Sequence, residues 1–146
     1  MNSAIKYIAT LGFIGYLPIA PGTFATLSAC IVYIITKPSL KILSIFLVII
    51  IPLGFICAHR AERLLNEKDS RHIVIDEFCG YLLSVFFVTF NIPNALLAFF
   101  LFRIFDILKP FPIKMLESSL SGGIGIMVDD MIAALYTNII MHLINF

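Results

Sequence analysis

The sequence predicts an all-α fold, a compact membrane-embedded bundle of about five helices with a polar site at one end. Three observations carry this expectation. The 146 residues are 60% hydrophobic and 13% charged, with a mean hydropathy of +1.03, where soluble domains hold roughly 25% charge. The apolar residues fall into five segments of helical length, separated by Pro, Gly and charged punctuation. Most of the scarce acids cluster inside or beside those segments, as Asp76-Glu77, Arg103-x-x-Asp106-x-x-Lys109 and Asp129-Asp130. Without internal repeats or a low-complexity linker, residues 1–146 read as one domain.

The first segment, residues 3–17, is broken by Gly12 and Gly15, and Leu17-Pro18-Ile19-Ala20-Pro21-Gly22 forms a rigid turn. Its one Lys and apolar run mimic a signal peptide, but the prolines interrupt it and no small-residue cleavage site follows, so it is expected to stay. Thr23 is placed to cap a helix running to Thr36, which Lys37-Pro38-Ser39 ends. The second helix spans Leu40 to His59, with Pro52 expected to kink it. Residues 60–72 carry Arg60, Glu62, Arg63, Glu67, Lys68, Asp69 and Arg71 and read as a solvated connection or exposed helix end. A third helix is expected over Ile73–Phe90, its length outweighing β-branched and aromatic content that would suit a strand. Asn91-Ile92-Pro93-Asn94 is a tight turn, Ala95–Leu108 the fourth helix, and Lys109-Pro110-Phe111-Pro112 its stop. Ser121-Gly122-Gly123 precedes a fifth helix over Ile124–Ile144. A bilayer core needs about 20 helical residues, a length only this last segment comfortably reaches.

Several function classes drop out. A formal charge of +1, with no stretch interleaving basic and stacking aromatic residues, argues against a nucleic-acid partner. Cys30, Cys57 and Cys79 lack metal-ligand spacing and sit in apolar runs, as buried free thiols do. His59, His72 and His142 are scattered. Gly122-Gly123-x-Gly125 has no following Lys, so it reads as a turn and not a P-loop.

The acidic clusters call for a different account, because an ionised group in an apolar setting costs several kcal/mol unless a partner, metal or water-filled cavity compensates. If the helices alternate up and down, Asp76-Glu77 opens the third, Asp106 closes the fourth and Asp129-Asp130 lies in the first turns of the fifth. All three clusters then meet at one end. That end also carries Arg60, Arg63, Lys68, Arg71, Lys109 and Lys114, against Lys37 and Lys41 opposite, which makes it cytoplasmic. Gathered carboxylates repel unless a hard divalent cation neutralises them, and oxygen ligands without His or Cys suit Mg²⁺. Arg103 and Lys109, three residues either side of Asp106, are placed to hold phosphate oxygens, Arg as a bidentate fork and Lys as a point charge. Together these residues describe a phospholipid headgroup site.

Four strings resemble the bacterial phosphatidylglycerophosphatase A family: Pro21-Gly22-Thr23, Ile75-Asp76-Glu77-Phe78-Cys79-Gly80, the run Phe102-Arg103-Ile104-Phe105-Asp106-Ile107-Leu108-Lys109-Pro110-Phe111-Pro112, and Gly122-Gly123-Ile124-Gly125-Ile126-Met127-Val128-Asp129-Asp130. They stand in the family's order across nearly the whole chain. Ala25 and Ala134 replace the family's usual Gly, which bears on helix packing more than on chemistry. The resemblance implies an all-α, Mg²⁺-dependent phosphatase of the bacterial inner membrane, its site facing the cytoplasm, that converts phosphatidylglycerophosphate to phosphatidylglycerol. On this reading Asp76, Glu77, Asp106, Asp129 and Asp130 are the catalytic and metal-binding set, and Arg103, Lys109 and Thr23 contact substrate. The competing readings are an ion or proton conduit, which needs polar groups through the full membrane depth, and a related phosphatase acting on another phosphorylated substrate.

Overall fold

The computed structural model describes residues 2–67, 70–115, 120 and 122–144. Six α-helices are α1 (Asn2–Ala9), α2 (Pro21–Thr36), α3 (Leu40–Leu65), α4 (Ile75–Ser84), α5 (Ile92–Leu108) and α6 (Gly123–Ile144), with a 3-10 turn at Ile14–Tyr16 and no strand among the described residues. Residues 113–115 are also helical. The fold is all-helical, as the segment lengths predict.

Helix boundaries depart from expectation in five places. The N-terminal stretch holds a helix of its own, because Ile5 and Ile8 pack on the buried Cys57, Ala58 and Ala61 face of α3. At α2 the N-cap is Ala20 in a left-handed conformation, and Pro21 takes the first turn where its missing N–H costs nothing. Thr23 therefore lies inside that turn and does not cap it. α3 continues through Pro52 and past His59 to Leu65, so Arg60 and Arg63 belong to its exposed face, Glu62 is half-buried, and Ala58 and Ala61 bury the inner face. Its 26 residues make α3, with α6, one of two helices long and apolar enough to cross a membrane.

The fourth departure is α4, which stops at Ser84 and not Phe90. Asn138 of α6 donates from Nδ2 to the carbonyls of Ser84 at 3.0 Å and Phe86 at 2.7 Å, satisfying acceptors a longer helix would have used internally. α5 opens two residues before the expected Pro-containing turn ends, with Asn91 Oδ1 accepting the Asn94 N–H at 2.6 Å as an N-cap.

α4 packs mainly against α6 and α2, and α5 against α6 and α2. Tyr81 and Phe102 are fully buried in the main core, and Tyr81 settles its hydroxyl by donating to Ala95 O at 3.0 Å. Gly80 lets α4 approach closely: a Cβ there would lie 2.6 Å from Phe102 Cζ. Ala25 and Ala134 are both 0% exposed, so their single methyls fit the helix contacts. The three cysteines are buried and free. Because α2, α4 and α6 all begin at the end where α5 finishes, the alternation inferred from connection order holds there.

Candidate active site

At that end lies a cavity of about 400 Å³ lined by Gly22, Asp76, Glu77, Arg103, Asp106, Lys109, Asp129 and Asp130. Every predicted site residue except Thr23 faces it; Thr23 sits half-buried beside Gly22 and is not among the lining residues. Lys68, Asp69 and Ser121 lie outside the described residues.

The carboxylates divide into two groups. One oxygen from each of Asp76, Glu77 and Asp130 falls within 4.8 Å of the others. Asp76 Oδ1, Glu77 Oε2 and Asp130 Oδ2 are buried with no hydrogen-bond donor. Burial, then the adjacent Glu77 charge, pushes the Asp76 carboxyl well above the usual carboxylate range. Burial also raises Glu77, against the opposing hydrogen bond from Asp76 and the attraction of Arg103. Three clustered, desolvated carboxylates are unfavourable as bare anions and fit a hard cation that takes oxygen ligands. The donor set therefore suits Mg²⁺.

The second group is tied to basic side chains. Arg103 Nη1 donates to Asp106 Oδ2 one turn along α5, and Lys109 Nζ lies 3.2 Å from Asp129 Oδ2 across the cavity. Arg103 Nε is buried without an acceptor, leaving a donor available to an anion. Lys109 ends α5 as a left-handed C-cap, which turns the chain away from the helix axis at the cavity.

Two close approaches assemble these walls. Glu77's carboxyl occupies the space a Cβ on Gly22 would fill, so the glycine at the start of α2 makes room for it. Gly123 N–H donates to Glu62 Oε2 at 3.0 Å, and the carboxylate also favours the positive end of α6. The sequence reads Glu62 as part of a solvated connection or exposed helix end, and it lies in the last turn of α3; its partner sixty-one residues away is a tertiary fact with no local signal. Ser70 and Arg71 also line the cavity. Arg71 was legible only as one of several basic residues at this end.

The phosphatidylglycerophosphatase A family model matches residues 7–145. Phosphatidylglycerophosphatase A of Haemophilus influenzae is 37% identical over 161 aligned positions, covering 99% of this chain and 96% of the relative. Its Escherichia coli counterpart is 31% identical, covering 95% and 83%. A Bacteroides thetaiotaomicron protein with a provisional phosphatidylinositol-3-phosphatase name is 34% identical, covering 87% and 84%. No solved structure matches the chain. With a family match over nearly its full length, on the strings that build the cavity, this chain belongs to the phosphatidylglycerophosphatase A family.

Proposed function

We propose that the protein hydrolyses the terminal phosphomonoester of phosphatidylglycerophosphate, giving phosphatidylglycerol and inorganic phosphate, with Mg²⁺ held by Asp76, Glu77 and Asp130. The observation that carries this reading is the juxtaposition, in one cavity, of three clustered carboxylates, each with a buried oxygen that lacks a donor, with the two carboxylate-tied cations Arg103 and Lys109. Family membership supplies the lipid.

Mg²⁺, when bound, supplies Lewis-acid stabilisation of the phosphoryl oxygens. Arg103 Nε and the Lys109 ammonium offset charge on the same oxygens as the bond to the lipid glycerol breaks. Asp106 and Asp129 hold those cations in place and keep their charge balanced before substrate arrives. In one route a carboxylate of the set takes the proton of the attacking water and passes it to the glycerol oxygen as the P–O bond breaks; in the other a carboxylate attacks phosphorus, the glycerol oxygen leaves with a proton from water, and water then hydrolyses the acyl phosphate to inorganic phosphate and the free carboxylate.

The same reading places the protein in the bacterial inner membrane with the cavity facing the cytoplasm. Its support is the lipid substrate, the two span-length helices and the apolar residues exposed along the helix faces, among them Ile45, Val48 and Ile49 on α3, Phe100 and Ile104 on α5, and Ile139 and Leu143 on α6. Arg60, Arg63, Arg71, Lys109 and Lys114 at the cavity end follow the basic-loop bias. A conduit reading fits less well, because the clustered carboxylates gather at one end.

The test is phosphate release by purified protein from a panel of phosphatidylglycerophosphate, phosphatidic acid and phosphatidylinositol 3-phosphate, with and without chelator. Preferred, Mg²⁺-dependent turnover of the first is expected. Preference for either other lipid overturns the substrate assignment, and full turnover in metal-free buffer overturns the Mg²⁺ assignment.

A further inference from the structure

Two of the cations lining the cavity are engaged by carboxylates, Arg103 with Asp106 and Lys109 with Asp129. Arg71 also lines the cavity but differs from both. It is exposed, and neither a hydrogen bond nor an ion pair ties its guanidinium among the described residues. It stands on the short connection into α4, five positions before Asp76.

The described residues of that connection are firmly held. Ser70 Oγ donates to Glu67 Oε2 at 2.7 Å, His72 Nδ1 meets Gly15 O at 2.7 Å and its ring stacks on Tyr16 at 4.8 Å. Val74 N–H donates to Ala9 O at 2.9 Å. Arg71 therefore projects from an anchored backbone, its exposed side chain at the rim, while the carboxylates that would hold Mg²⁺ against the reacting phosphate are buried at the floor.

Resting on the substrate proposed above, the chemistry of that lipid gives this rim cation a use. Phosphatidylglycerophosphate carries two phosphates separated by one glycerol unit, a terminal monoester and a diester leading to the acyl chains. With the monoester on the cavity floor, the diester, one glycerol unit away, reaches the rim, where Arg71 lines the cavity. We propose that Arg71 binds this diester phosphate and so acts as a specificity residue that selects a lipid with a second anionic group one glycerol away from the reacting one. An uncommitted guanidinium suits the task, since it offers a planar fork to phosphate without first breaking an internal ion pair.

The experiment compares wild type, Arg71→Gln and Arg71→Lys on phosphatidylglycerophosphate in neutral-detergent mixed micelles. Two inhibitors serve as probes, phosphatidylglycerol, which keeps only the diester, and inorganic phosphate, which stands for the monoester. Loss of a charge-assisted contact made equally before and during reaction should raise KM about tenfold for Arg71→Gln with kcat unchanged. The inhibition constant of phosphatidylglycerol should rise by a similar factor, that of inorganic phosphate should stay fixed, and Arg71→Lys should recover part of the loss. An unchanged KM, or equal weakening of both inhibitors, overturns the assignment and leaves Arg71 as a general electrostatic attractor or a bystander. Absence of wild-type turnover on this lipid instead strikes the proposed activity and takes the Arg71 role with it.

Discussion

Replacing Gly22 with Ala should separate catalysis from stability in one atom. The new Cβ would lie 2.8 Å from the Glu77 carboxyl carbon, whereas ordinary contact begins near 3.4 Å, so the carboxyl must retreat by at least about 0.6 Å. The obstacle is the end of a flexible side chain, and Ala favours a helix over Gly by up to about 1 kcal/mol, so the melting temperature should hold or rise slightly. The site cannot absorb the shift as easily. Positioning errors near 1 Å cost on the order of a hundredfold in rate, and Glu77 belongs to the three-carboxylate cluster. We expect kcat on phosphatidylglycerophosphate to fall roughly tenfold or more, with a higher Mg²⁺ concentration needed for half-maximal rate. The assay is phosphate release in mixed micelles across a Mg²⁺ titration, with thermal melting alongside. Wild-type turnover and Mg²⁺ response in a folded Gly22→Ala protein would refute the role given to Glu77 and the reason given for the glycine.

Asp130→Asn keeps the side chain's shape while removing its charge, and turnover should drop by at least about a hundredfold with helical content intact; near-normal turnover returns Asp130 to a structural role. Arg103→Lys should be far more damaging to kcat/KM than Lys109→Arg, because Lys carries all its donors on one nitrogen and cannot occupy both the Nη1 position that meets Asp106 and the separate Nε position, while Arg still supplies a point charge toward Asp129. Equal, mild losses from the two exchanges would show that neither residue is a geometric clamp. In metal-free protein, the raised Asp76 carboxyl binds its proton more tightly when folded than when unfolded, so its contribution to stability grows as pH falls through its folded value toward the ordinary carboxylate range. Melting in chelator should therefore rise as pH falls from neutral toward the ordinary carboxylate range, and excess Mg²⁺ should flatten that rise; a steady fall in chelator would contradict the desolvated cluster.

Convergence of Asp76-Glu77, Asp106 and Asp129-Asp130 was legible in the sequence because it follows from connection order alone, which the Pro, Gly and charged breaks mark clearly. The buried thiols were legible from their apolar flanks. Helix ends were not, since tertiary partners decide them. Asn138 stops α4 from fifty-four residues away, and packing of Ala58 and Ala61 on α1 carries α3 beyond His59. Pairing within the site was hidden for a similar reason. The i, i+3 spacing exposes Arg103 with Asp106, whereas Lys109 meets Asp129 only once α5 and α6 lie together. The single carboxylate set read from the sequence thus becomes three oxygens facing one another and two committed to cations.

Asn138 has a consequence for how the site keeps its geometry. Eight residues separate Asp76 from Ser84 along α4, and eight separate Asp130 from Asn138 along α6, a rise of about 12 Å on each helix. The two helices run in the same direction, their carboxylates side by side at one end and the amide of Asn138 tying them at the other. They form two equal rails with a single rung, set about two helical turns beyond the acids. Sliding one rail past the other by a helical turn would part that rung and the acidic triad together, leaving carbonyls without a donor. The tie at Asn138 thereby sets the register in which the acids meet, so loosening it would disturb their spacing from about 12 Å away.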